Sequence, residues 1–314
     1  MVFAWEMETD PFFNLAFEEF VFNHVRDEDV FLIWRNQPCM VVGSYQNICR
    51  EVRPVRLWKM GIPVLRRISG GGAVYHDLGN VNYSCISKQT GQVDYDQALR
   101  PILAALNAIG VPARKNRTCD IAIGEQKISG SAQRNAGGRL LHHGTLLFDA
   151  NLEALEDISV RGKNECVQTK GTQSAICSVT NIRAHLTNDM DVMTFMERLL
   201  EQMAPGGERL VLSKEQLREV RKLREEKYCS WEWTWGRTPA FSYEKVGRFA
   251  GEEFQVTYQA KHGIVSEVAI RCPALDCGMT ERLLEGAKLG PETFAEICEK
   301  AAGNRSDELL DLLM

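Results

Sequence analysis

Apolar residues along the chain recur in two alternating registers, one of about four residues and one of two, so helical and strand segments are mixed throughout. Near the start, Phe13, Phe17, Phe20, Val21 and His24 keep helical spacing and predict a helix over about residues 14–25, approached through Asp10-Pro11. "VFLIWR" and "CMVVGS" are short apolar runs bounded by turn residues, the pattern of buried strands. "VRPVRLWKMG" reads as a short amphipathic helix closed by Gly61. "IPVLRR" then reads as a strand that delivers Arg66 and Arg67 to the glycines of "RRISGGGAVYHDLGN", and "NVNYSCIS" as the strand that leaves them. A dinucleotide-binding turn would open a helix after its glycines, whereas strand-like residues follow these.

Farther along, "YDQALRPILAALNAIG" is helical, begun or kinked near Pro101. "DIAIG" and "QKISGSAQR" predict a hairpin around Gly124-Glu125, and "HHGTLLFDANL" a further strand. Residues 190–227 return to a helical, charged pattern divided by Pro205-Gly206-Gly207. Within it, "KEQLREVRKLREEK" reads as a solvated helix laced with i,i+4 pairs. The run "YCSWEWTWGRTPAFSYEK" carries three tryptophans, which fit a core better than a ligand platform. After it, "EFQVTYQAKHGIVSEVAI" alternates strictly around Lys261-His262-Gly263, a hairpin pattern, and short helices finish the chain. A domain boundary is expected near residues 237–244.

With 314 residues the chain can bury one large domain and a smaller one. A formal net charge of −5 argues against bulk affinity for nucleic acid or an anionic membrane, so any basic site is local. No apolar run reaches membrane-spanning length and no signal-peptide pattern opens the sequence, which makes the cytoplasm the expected compartment. The ten cysteines form no C-x-x-C pair and read as reduced, mostly buried thiols.

Four stretches can carry chemistry. Gly70, Gly71 and Gly72 permit positive φ and exposed amides suited to an oxyanion, and strand alternation sends Arg66 and Arg67 to opposite faces, one of them able to clamp that anion. "GEQKISGSAQR" lacks the P-loop order, because Lys127 precedes its glycine. What remains is a strand lysine followed by small residues, able to stabilise charge at an attacked phosphoryl group. His142 and His143 point to opposite faces of one strand and cannot both ligate a single metal in simple geometry. Asp120 opens a strand, where it can hold Mg²⁺ beside phosphates or cap a turn. Together these suggest a nucleotide site, neither P-loop nor Rossmann, that activates a carboxylate with ATP.

Along nearly its whole length the sequence resembles the large, two-domain lipoate–protein ligases. The resemblance rests on "FFNLAFEE", "FLIWRNQPCMVVGSYQN", "RRISGGGAVYHDLGN", "KISGSAQR", "LHHGTLLFDANL", Lys170-Gly171 with Val179 to Asn181, and "SWEWTWGRTPAFS", in that order. It implies an α+β fold: a biotin/lipoate ligase-like catalytic domain of mixed β-sheets flanked by helices over residues 1–240, and a small C-terminal α/β accessory domain over 241–314. It also implies that lipoate and ATP give lipoyl-adenylate, from which a lysine of a lipoyl domain takes the acyl group. By the same resemblance Lys127 is the catalytic cation. Arg67, Ser69, Gly70, Gly71, Gly72, Ala73, Val74, Tyr75, His76, Asn80, Ala132, Arg134 and His143 surround the adenylate, Trp34 and Val74 wall the lipoate tunnel, and Asp120 lies near Mg²⁺. ATP, Mg²⁺ and lipoate are the expected substrates and metal, with no tightly bound prosthetic group. The expected partners are lipoyl domains of 2-oxoacid dehydrogenase acyltransferase subunits, the glycine-cleavage H protein, or both. Two departures touch the nucleotide side: Cys119 precedes Asp120 where the family commonly has asparagine, and residues 174–181 lack arginines that relatives often carry there.

Two other readings exist. An ATP-independent octanoyl or lipoyl transferase of the same fold would use a cysteine thioester, for which Cys119 is the candidate. A non-catalytic lipoate- or carrier-binding protein would keep the fold without releasing pyrophosphate, and the retained Lys127 argues against it.

Overall fold

The computed structural model describes residues 1–88, 94–159, 166–175 and 177–314. Its strands are β1 (Val2–Trp5), β2 (Val30–Trp34), β3 (Cys39–Val42), β4 (Val64–Arg66), β5 (Val74–His76), β6 (Asn80–Lys88), β7 (Arg114–Lys115), β8 (Asp120–Ile123), β9 (Gln126–Ala136), β10 (Arg139–Leu147), β11 (Val167–Thr169), β12 (Glu208–Arg209), β13 (Phe241–Phe249), β14 (Glu252–Lys261) and β15 (Ile264–Arg271). They form an eight-stranded mixed sheet, β12-β1-β2-β6-β10-β9-β8-β7, a small sheet β4-β3-β5, and a four-stranded sheet β11-β13-β14-β15. β2 is buried at every position, as a strand covered on both faces requires, which explains its unbroken apolar run.

The first helix, Pro11–His24, starts earlier than its apolar spacing suggests. Asp10 caps it by accepting from Phe12 N–H at 2.9 Å, and Pro11 takes the first turn, where no amide donor is needed. The helix Tyr95–Ala108 begins at the Asp94 cap and runs through Pro101. The charged segment is a helix, Lys214–Leu223, with a Ser213–Gln216 capping box, followed by a π-turn, Arg224–Tyr228. It is not wholly solvated. Arg224 pairs with Asp10 at 2.6 Å and Lys227 with Glu19 at 2.7 Å, fixing the segment to the first helix.

The small sheet determines where the glycines go. β3 runs parallel to β4 and antiparallel to β5, so the connection between those two edges must arch over the end of β3. That connection is residues 67–73. Arg66 and Arg67, expected to diverge, do so, but both sides are packed and both side chains are buried. Arg66 donates to Gly43 O at 2.8 Å, Gln46 O at 2.9 Å, Thr234 O at 3.0 Å and Thr238 Oγ1 at 3.3 Å. Burial, then repulsion from Arg237 and Arg67, lowers its pKa to about 10, so it remains a cation at ordinary pH.

The tryptophans also join parts of the chain. Trp233 Nε1 donates to Arg66 O at 2.6 Å and Trp231 Nε1 to Leu289 O at 2.7 Å, while Lys227 lies over the Trp233 ring at 3.9 Å. Beyond them the predicted hairpin β14–β15 is extended by β13 on one side. β11, from residues 167–169, completes the sheet edge through pairing with β13. The C-terminal sheet therefore takes one strand from well before residue 240, and its core includes Val55 and Val167 beside Phe254, Tyr258 and Phe294.

Arg66→Ala leaves three buried carbonyls without their donor. It is expected to cost about 3 kcal/mol of stability, read as a lower urea midpoint with an unchanged m-value. A midpoint equal to wild type would contradict this account of the loop's anchor.

Candidate active site

The glycine loop is held from beneath by Arg67. Its guanidinium donates to Val41 O at 3.2 Å, Gly70 O at 2.6 Å, Gly72 O at 2.7 Å and Ser69 Oγ at 3.0 Å. Four of the five N–H donors of a guanidinium are thus spent on the loop and its support among the described residues. The expected clamp on a ligand is in this structure first a clamp on the backbone. Burial lowers its pKa to about 10, against the opposing pull of Glu18.

Glu18 reaches it through a relay. Ser69 Oγ, receiving the Arg67 Nε–H, gives its own proton to His143 Nε2 at 2.6 Å, and His143 Nδ1–H donates to Glu18 Oε1 at 2.8 Å. The same Glu18 oxygen accepts from Ser84 Oγ at 2.5 Å, which accepts from Trp34 Nε1 at 3.3 Å. Donor and acceptor directions are consistent from end to end. Sequence reading missed Glu18 and Ser84. The available signal was an acid at position 18 on the apolar stripe of the first helix, since a buried carboxylate demands partners.

Of the three glycines only Gly71 has positive φ, +85°, and a Cβ there would meet Arg67 Nη2 at 2.9 Å. At Gly72 a Cβ would meet Ser174 Oγ at 3.0 Å, whereas at Gly70 it would make ordinary contact with the Tyr45 ring at 3.8 Å. Ser174 is a latch on the loop: its Oγ accepts from Ala73 N–H at 2.9 Å and from Gln46 Nε2 at 3.1 Å, and donates to the buried Glu51. Burial raises the Glu51 pKa, partly offset by these Ser174 bonds. This is what occupies the segment where arginines were expected. The latch residues were invisible to sequence reading, since 123 positions separate Glu51 from Ser174.

Lys127 sits opposite the loop. Its ammonium lies 2.8 Å from Asp120 Oδ1 and across Gly130, where a Cβ would come within 2.7 Å of Nζ. Asp120 pairs in register with Gly130, so the carboxylate, the glycine and the ammonium share one patch of the β8–β9 hairpin. The Lys127 backbone is itself strapped by residues 178–180, through Lys127 N–H to Ser178 O at 2.9 Å and Thr180 N–H to Lys127 O at 3.0 Å.

Between these walls lie two adjoining lobes of about 340 and 350 Å³, within the range of small-molecule sites. Lys127, Gly130, Thr145, Ala73, Val74 and Ser174 line both, so the ammonium stands at their junction. The first lobe is more apolar and holds Trp34, Arg67, Gly71, Gly72, His76, Asp120, Ala132 and His143. The second takes Tyr75, Arg50 and Glu51. Four expected site residues support the walls without lining either lobe: Ser69 and Gly70 as described, Arg134 through Ile68 O at 3.0 Å, and buried Asn80 through Asn82 Oδ1 at 3.0 Å. Cys119 borders the first lobe, where burial, then Asp120, raises its thiol pKa and disfavours the thiolate. Among the described residues no cluster of three or more His, Cys, Asp or Glu side chains is placed to hold a metal ion. No described helix is long and apolar enough to cross a membrane.

A mixed-sheet fold with a lysine between an apolar lobe and a more polar one suits an acyl-activating ligase class, and the comparisons specify it. The family model described as the lipoyl protein ligase A/B catalytic domain matches residues 10–204. Lipoate–protein ligase 1 of Staphylococcus aureus is 33% identical over 267 residues, covering 83% of this chain and 81% of the relative. P. falciparum LipL1, solved in complex with lipoate, superposes with a TM-score of 0.62 at 21% identity, covering 99% of this chain and 98% of that one. A lipoate–protein ligase A bound with ATP gives 0.62 at 23% identity, covering 74% of this chain and 98% of that one. The chain belongs to the lipoate–protein ligase family and is an enzyme. The α+β expectation holds.

Gly43 lies under the arch, and a Cβ there would stand 2.3 Å from Gly71 O. Gly43→Ala must therefore displace the loop, and it is expected to lower ligase kcat/KM about a hundredfold in a protein that remains folded by circular dichroism. Unchanged kcat/KM would mean the loop's position is not critical.

Proposed function

We propose that the enzyme joins lipoate to a lysine of lipoyl-domain carriers in two half-reactions. The carboxylate of lipoate, its chain in the apolar lobe, attacks the α-phosphorus of ATP in the polar lobe. The bond to the β-phosphate breaks and pyrophosphate leaves. The amine of the carrier lysine then attacks the acyl carbon of the mixed anhydride, the acyl–oxygen bond breaks, and AMP departs with an amide formed.

One observation carries this reading: Lys127 Nζ lies at the junction of the two lobes, fixed by Asp120 and Gly130. A cation held there stabilises charge on the attacked phosphoryl oxygens and later on departing AMP, without reorganising during reaction. The loop of Gly70 to Val74, propped by Arg67, supplies backbone contacts to the phosphate and ribose side. Trp34, Val74 and His76 enclose the acyl chain, and Tyr75, Arg50 and Glu51 face the nucleotide. Excluding water from these lobes protects the anhydride until the amine arrives. Mg²⁺ carried with the nucleotide would be met by Asp120, a carboxylate oxygen donor beside Lys127. Its chemistry there would be neutralisation of phosphate charge.

Residues 1–240 are proposed as the catalytic unit and 241–314 as the accessory one, with β11 as their shared seam. The carriers are proposed to be 2-oxoacid dehydrogenase acyltransferase subunits or the glycine-cleavage H protein, and the compartment the cytoplasm. The raised pKa of Cys119 speaks against the thioester transferase.

Lys127→Ala is expected to lose lipoate-dependent pyrophosphate release by at least about a thousandfold while keeping its circular dichroism spectrum. Wild-type release from that variant would refute the assignment. Cys119→Ser is expected to change kcat/KM by no more than about threefold, since the thiol forms no bond to the acyl group. Modification of a lipoyl domain without nucleotide, abolished by this substitution, would instead establish the transferase.

A further inference from the structure

Three successive residues, Gln173, Ser174 and Ala175, line both lobes, as Lys127 does, and all three are exposed. They stand where the junction of the lobes meets solvent. Little fastens them there. Thr172 N–H is bonded to Tyr45 O, and Ser178 O to Lys127 N–H. Between those two points, the only hydrogen bonds among the described residues are made by Ser174.

The directions of these bonds are forced. Gln46 Oε1 accepts from Gly43 N–H at 2.9 Å, which turns Gln46 Nε2 toward Ser174. Ser174 Oγ accepts from that amide and from Ala73 N–H, so both lone pairs are used and its single proton must go to an acceptor. Glu51 supplies the acceptor: its Oε2 takes the Ser174 hydroxyl and, at 3.1 Å, the Ser174 N–H. A carboxylate only 7% exposed needs such donors as much as they need it. Ser174 therefore borders both lobes with no hydrogen-bonding capacity left for a ligand, and its effect on the reaction runs through where it holds the chain. At Gly72 a Cβ would lie 3.3 Å from Ser174 Cα, so the loop and this stretch close on each other with no side chain between them.

Building on the ligase reading, we propose that Glu51 is a positioning residue: through Ser174 it fastens residues 173–175 to the glycine loop, and that closed edge keeps the acyl-adenylate from water between the half-reactions. With the edge open, water adds to the acyl carbon and the acyl–oxygen bond breaks. Free acid, AMP and a proton result, and no carrier is modified.

The test uses the full chain with lipoate, ATP and Mg²⁺ but no carrier, and follows pyrophosphate from the first turnover onward. Wild type is expected to release about one pyrophosphate per active site and then slow, because the retained adenylate blocks the next turnover. Ser174→Ala and Glu51→Ala should each raise the slow phase about tenfold, through loss of a charge-assisted hydrogen bond. Glu51→Gln keeps an acceptor oxygen and should recover most of the retention. The first turnover counts the active sites, so a partly folded preparation still gives a rate per active enzyme. A merely structural defect would lower both phases together. Slow phases equal to wild type in both alanine variants would overturn the inference, as would a wild type that never slows; the ligase reading survives either result. Loss of the first turnover in both alanine variants also sinks it, since the pair would then serve activation. No pyrophosphate from wild type would remove the ligase reading, and this inference with it.

Discussion

Two guanidinium groups, buried without a carboxylate in direct contact among the described residues, hold the glycine-loop backbone in place. Arg66 binds the underside of the arch to the segment around Thr234, and Arg67 gathers the carbonyls of the arch itself. A buried cation is stable only if its donors are met, and here the main chain meets them. The loop cannot relax without exposing a desolvated charge, and the charge cannot leave without releasing the loop. The glycines are needed for that reason as much as for any ligand: Gly43 and Gly71 remove the two side chains that would prevent the carbonyls from closing around Arg67.

The same economy of small residues appears on the other side of the cleft. Gly130 makes space for the ammonium of Lys127, and Asp120 fixes it from the neighbouring strand. The lysine rests on the β8–β9 hairpin, while the opposite wall is a loop propped by hydrogen bonds. Orientation of the reacting groups thus comes from a fixed cation on one side and a preorganised backbone on the other. The relay from Trp34 through Ser84, Glu18, His143 and Ser69 to Arg67 ties the Trp34 wall to the glycine loop through an unbroken chain of hydrogen bonds.

Much of this was legible in the sequence. The apolar runs of β2 and β3, the alternation of β14 and β15 and the glycine signature all declare themselves locally, because burial and turn geometry act over a few residues. β5 was hidden because it is three residues long and lies inside the motif itself, and β11 because an edge strand of that length has no periodicity to read. The burial of both arginines depends on what covers each face of β4, which no strand pattern records. Ser174 and Glu51 meet only after folding.

One consequence follows from where β11 lies. Its last residue, Thr169, is hydrogen-bonded into the C-terminal sheet, and only Lys170, Gly171, Thr172 and Gln173 separate it from the latch at Ser174. The five Cα–Cα steps from Thr169 to Ser174 stretch to about 18 Å at most, and Thr172 is already stapled to Tyr45 O at 3.1 Å. The C-terminal sheet is therefore on a short leash to the latch on the glycine loop. If it moves as a unit, the tug must peel the edge strand from its sheet or pull the serine off the glycine arch.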